Sequence, residues 1–101
     1  MTTLTSTNPG KNYEVLGQVP VSTPQQVEEA VQAAQKAFKS WKLTPIQDRI
    51  AALRSVQQSI HTKKEKIALM VTREMGMPIE NSLSEVEDAL FGYMEWYLTN
   101  A

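Results

Sequence analysis

Four stretches of the chain repeat apolar residues every three or four positions. The first is Val27, Ala30, Val31, Ala34, Ala37, Phe38 and Trp41, with Gln, Glu and Lys between them. That i, i+3, i+4, i+7 spacing predicts a one-sided helix, and its small apolar face lets a neighbour approach closely. Ile46, Ile50, Leu53, Val56 and Ile60 mark a second helix, and Ile67, Met70, Val71 and Met75 a third. The fourth runs through Ile79, Leu83, Val86, Leu90, Tyr93, Met94 and Trp96 or Tyr97, the most apolar segment, with its aromatic residues crowded at the C-terminal end.

Start and stop signals frame these helices. "TPQQ" at Thr23, "TPIQ" at Thr44 and "TKKE" at Thr62 each put Thr three residues before Gln or Glu. This is the arrangement of a capping box, with Pro at the first helical position in two of the three. Gly76 follows the last periodic residue of the third helix, where a left-handed residue ends a helix without a Cβ penalty, and Pro78 suits the first turn of the fourth. "MGMP" therefore predicts a tight helix-to-helix corner.

Residues 1–22 lack the helical period. β-Branched and aromatic residues (Thr2, Thr3, Thr5, Thr7, Tyr13, Val15, Val19, Val21) flank "NPGKN", which predicts two short strands around a turn at Asn8 to Asn12. An isolated hairpin is marginal in water and needs a surface to pack on, which a chain of this size is not expected to supply in full. The predicted fold is mainly α: an N-terminal β-hairpin over 1–22, then about four amphipathic helices over 23–101.

Length and composition narrow the picture. A chain of 101 residues is one domain or part of one, and it buries only about 60–65% of its unfolded surface, so the core is thin. Ten basic and eleven acidic side chains, a net charge of −1, form no long run of either sign and suggest neither nucleic acid nor a membrane as partner. There is no cysteine, which leaves this chain without a disulfide, a thiolate metal site or a thiol nucleophile. Neither a signal peptide nor an apolar run long enough to span a bilayer is present, so a cytoplasmic location is expected. The close "WYLTNA" sets Trp96, Tyr97 and Leu98 beside the terminus, where a polar tail is commoner, and a continuation is expected.

Candidate chemistry is sparse. The single histidine, His61, suits the C-terminal end of the second helix, where a cation is favoured. Gly10, Gly17, Gly76 and Gly92 do not approach a phosphate-binding spacing. Glu28 with Glu29, and Glu85 with Glu87 and Asp88, read as solvated helix faces, as does "KKEK" at Lys63 to Lys66. Tyr93, Trp96 and Tyr97 are expected in a core or an interface, because no basic stripe accompanies them as a base-stacking platform needs. No residue is assigned to catalysis, cofactor binding or metal binding.

The order of several short motifs carries a resemblance. "NP", then "G-x-V-P" around Gly17 to Pro20, "V-x-x-A-V-x-A-A-x-x-A-F-x-x-W" from Val27 to Trp41, "R-x-x-x-L" from Arg49 to Leu53, "E-M-G-M-P" from Glu74 to Pro78, and "E-V" at Glu85 and Val86 together resemble the N-terminal segment of the NAD(P)-dependent aldehyde dehydrogenase superfamily. The semialdehyde dehydrogenases are one branch it could resemble. At Met77 the common lysine is replaced. The resemblance implies that residues 23–101 are a partial cofactor domain of an α/β enzyme. In that family a Cys thiolate attacks the aldehyde carbonyl, hydride passes to NAD or NADP, and the thioester is hydrolysed. It further implies assembly into dimers or tetramers, and catalytic residues C-terminal to the segment matched here. Glu85, Val86 and Ala89 would then stand at the mouth of the aldehyde tunnel, with Val86 and Leu90 sharing a face beside Ala89 and Tyr93; the alternative is that this face packs on the cofactor domain.

Three readings stay open on the sequence: a fragment of such a dehydrogenase that is inactive alone, one piece of a split enzyme completed by the remainder of the chain in trans, and a free-standing helical interaction module.

Overall fold

The protein is described by a computed structural model covering residues 2–101. Its elements in chain order are β1 (Thr3–Asn8), a 3-10 turn (Pro9–Lys11), β2 (Glu14–Pro20), α1 (Pro24–Trp41), α2 (Ile46–His61), α3 (Lys64–Met75), α4 (Ile79–Glu87), a π-helical segment (Asp88–Met94) and α5 (Glu95–Asn100). The hairpin and the four helical stretches follow the sequence pattern. The π segment inside the fourth does not follow from it.

The hairpin turn is built from local polar chemistry. The Asn8 side-chain oxygen accepts from Gly10 N–H at 3.0 Å and caps the 3-10 turn. Asn12 and Tyr13 then take φ values of 50° and 59°, a region that Asn tolerates and a bulky residue occupies at a strain cost. Pairing opposes Ser6 to Gly17 but Thr7 to Val15, so Leu16 is an extra residue, and such a bulge re-aims its side chain. Leu16, half-buried, lines a 360 Å³ groove together with Met70 and Glu74 of α3.

α3 thus gives the hairpin a partial platform. Ser6 Oγ donates to Glu74 Oε1 at 2.5 Å, and the Pro9 ring comes so close to Gly76 that a Cβ there would stand 3.3 Å from Pro9 Cγ. The hairpin's other apolar residues stay open, with Leu4 at 62% and Val19 at 60% exposure.

Of the three capping boxes, only that at Thr23 forms: Thr23 Oγ1 accepts from Gln26 N–H at 3.2 Å while Gln26 Oε1 accepts from Thr23 N–H at 2.8 Å. At Thr44 the expectation is corrected. Pro45, extended at φ −52° and ψ 142°, is itself the N-cap and its carbonyl takes the first helical bonds, from Asp48 and Arg49 N–H, so Thr44 lies one residue too early. Thr62 is corrected too: its backbone is still helical at φ −63°, ψ −18°, so its hydroxyl turns back to Ser59 C=O at 2.7 Å instead of capping α3. The corner is as expected at Gly76, which ends α3 at φ 69° with its N–H on Thr72 C=O at 3.0 Å. Pro78 sits just before the first turn, as the N-cap of α4.

The core is thin and lies where α2, α3 and the last helix meet. Ala68, Leu90 and Leu98 are its buried apolar residues. Ala68 and Ser82, both 0% exposed, bring α3 and α4 together, and the buried Ser82 hydroxyl is satisfied by Thr72 Oγ1 at 2.8 Å. α1 is outside this core: all 18 of its residues are exposed.

Candidate functional site

The densest set of long-range polar contacts joins α2 to the last helix. Arg54 Nη1 donates to both carboxylate oxygens of Glu95, at 3.1 and 2.8 Å. Gln57, 6% exposed, donates from Nε2 to the Leu90 carbonyl at 2.8 Å and to Glu95 Oε2 at 3.1 Å. The Arg54 hydrogen bond, then that of Gln57, holds the Glu95 carboxyl down to about 2. This cluster joins the π segment to α2. Glu95 N–H reaches the Leu90 carbonyl five residues back, so that oxygen carries a second donor, and Gln57 braces the widened turn.

A second cluster sits at the junction of α2, α3 and α4. Lys64 Nζ lies 2.6 Å and His61 Nε2 3.7 Å from Glu87 Oε1. The Lys64 hydrogen bond lowers the Glu87 carboxyl and Glu87 raises the Lys64 amine. His61 ends α2 as expected, and its ring also stands edge-on to Phe91, 5.0 Å between centroids. Glu87 and Lys64 are therefore tertiary partners, a correction to their reading as solvated helix faces. Glu28 and Glu29 do remain on an exposed face, accepting only from Gln32 and Gln25 of their own helix.

Glu85 and Val86 lie on the last turn of α4 and Ala89 on the first of the π segment. Glu85 and Ala89 are exposed and Val86 half-buried, while Leu90 is buried and Tyr93 is 72% exposed. Leu90 thus faces inward while Ala89 and Tyr93 stay open. Tyr93, Trp96 and Tyr97 are 72%, 61% and 66% exposed, so they lie outside the core of the described residues.

A dinucleotide's phosphates set their own requirement. A phosphate cradle needs a strand, a glycine turn and a helix N-terminus with free N–H groups. Here the sheet is a two-stranded antiparallel hairpin, a Cβ added at Gly17 or Gly92 would meet open space, and the α1 N-terminus is closed by its own capping box. The described residues form no such cradle. Among them, no group of three or more His, Cys, Asp or Glu gathers as metal ligands, and no helix is long and apolar enough to cross a membrane.

Comparison with known proteins decides the family. The model of the aldehyde dehydrogenase family matches residues 1–101, the whole chain. The chain belongs to the aldehyde dehydrogenase family. It is 32% identical over 94 residues to the 1-pyrroline-5-carboxylate dehydrogenase of Bacillus licheniformis, covering 93% of this chain and 18% of that protein. It is 40% identical over 74 residues to the malonate-semialdehyde dehydrogenase of Bacillus pumilus, covering 73% of this chain and 15% of the relative. Malonate-semialdehyde dehydrogenase 1 of Geobacillus kaustophilus is 36% identical over 85 residues, at 84% and 17% coverage. The chain therefore spans less than a fifth of the length of the curated relatives it matches.

Proposed function

We propose that these residues serve as the N-terminal scaffold of an aldehyde dehydrogenase that oxidises an aldehyde to a carboxylic acid with NAD or NADP through a cysteine thioester. The reacting groups belong to the remainder of that enzyme. The observation that carries this reading is α1. Val27, Val31, Phe38 and Trp41 form an apolar stripe, yet are 54%, 49%, 58% and 46% exposed. In water such a stripe calls for a covering surface, and a chain matching under a fifth of its relatives has the rest of the fold as the natural cover. The name of the malonate-semialdehyde relatives favours a semialdehyde as the substrate class. Glu85, Val86 and Ala89 are proposed to border the aldehyde tunnel, a role supported by the open Glu85 and Ala89 beside the π segment.

The test is a chimera in which residues 1–101 replace the matching stretch of the B. licheniformis enzyme. It should reduce NAD(P)+ with that enzyme's aldehyde, while the 101-residue chain alone neither turns over aldehyde nor gives a calorimetric signal with the dinucleotide. A folded chimera without activity, or micromolar dinucleotide binding by the isolated chain, would contradict the reading. In the same chimera Ala89→Trp should raise KM for bulky aldehydes much more than for small ones. Equal losses for all aldehydes with a lowered melting temperature would assign the α4 face to packing.

A further inference from the structure

The groove between α2 and α5, of 310 Å³, is lined by Trp41, Ile46, Ile50 and Leu53 on one side and by Trp96 and Tyr97 on the other. Its rims are open: Trp41 is 46%, Ile46 42%, Leu53 44%, Trp96 61% and Tyr97 66% exposed. One charged side chain lines it, Arg49. Arg49 is half-buried, and its Nε is shut off from solvent without a hydrogen-bond partner. None of the ion pairs among the described residues includes it.

Two requirements meet at this place. An apolar aromatic groove gains from being covered. Covering it with an apolar surface alone would bury a guanidinium with no counter-charge, which is strongly unfavourable. A cover that satisfies both brings apolar side chains for the rims and a carboxylate for Arg49, whose planar donors suit that partner.

We propose that this groove seats an apolar segment of the remaining aldehyde dehydrogenase polypeptide that carries an Asp or Glu, and that this carboxylate pairs with Arg49. The proposal rests on the scaffold reading and names one of its contact points. Charge complementarity selects the occupant: a second copy of this chain meeting the groove through the same face would bring another Arg49 and no acidic side chain to pair with it.

The chimera separates the two ideas. Its crystal structure should show a carboxylate oxygen from the B. licheniformis portion about 3 Å from an Arg49 Nη nitrogen. Arg49→Met should lower its melting temperature by several degrees, and Arg49→Lys, which keeps the charge without the planar guanidinium fork, should recover only part of that loss. A water, a backbone carbonyl or a second copy at the Arg49 Nη nitrogens, or an Arg49→Met chimera melting with its parent, overturns the proposal while an active chimera leaves the scaffold reading standing. A chimera that neither folds nor oxidises aldehyde overturns both.

Discussion

Glu95 shows how far a single side chain can depart from its solution chemistry. Held to about 2 against an ordinary 4.5, its folded-state value lies below its unfolded one. The stability it contributes is therefore fully present above pH 4.5 and is lost as pH falls from 4.5 towards 2. In the chimera, the advantage in melting temperature of the parent over Glu95→Gln should be constant above that window, shrink within it, and weaken in high salt because the pair is partly exposed. At this scale the sequence was legible where a residue acts on its own neighbours. Thr23 with Gln26 and the left-handed Gly76 are such cases. It was not legible where a partner comes from another element: nothing next to Arg54, Gln57 or Glu95 in the chain announces their meeting. Thr44 and Thr62 failed for a local reason, since a helix start one residue later, at Pro45, or a backbone that stays helical, at Thr62, removes the geometry a cap requires.

At the scale of elements, the last helix holds the main departure from the expected pattern. A 3.6-residue period carries Val86 and Leu90 on one face but does not foresee the π turn. Its trace is nevertheless present in the spacing of Val86, Leu90, Met94 and Leu98. Three consecutive steps of four residues would drift about 40° each around an α-helix, and a wider turn in the middle offsets that drift. All four side chains do end up buried or half-buried. Gln57 is the brace for this turn, so Gln57→Ala in the chimera should cost roughly 0.5–1.5 kcal/mol by removing the second donor to the Leu90 carbonyl, read as a lower denaturant midpoint. An unchanged midpoint would mean that the π segment holds its shape without α2. The hairpin is the opposite case: its strands and turn were readable, but its seat on α3 depends on Pro9 meeting Gly76, two residues far apart in the chain.

Over the whole molecule, the packing is open. The radius of gyration is 17.6 Å and the extents are 50 × 37 × 17 Å, whereas a compact domain of this length has a radius near 13 Å. Three buried apolar side chains are a small core for nine elements, and α1 adds none. The family's motif order made this segment recognisable; the exposure of α1 and of the α2–α5 groove does not follow from the motifs and so could not be read from them. The central claim is that these residues are scaffold for a larger enzyme and not a domain that folds alone. Differential scanning calorimetry of the isolated monomer tests it most directly. The account predicts a helical chain that melts over a broad range with little excess heat, because one-sided helices without a shared core unfold nearly independently. A sharp two-state transition with the unfolding enthalpy of a complete domain of this size, roughly 60–80 kcal/mol, would contradict it.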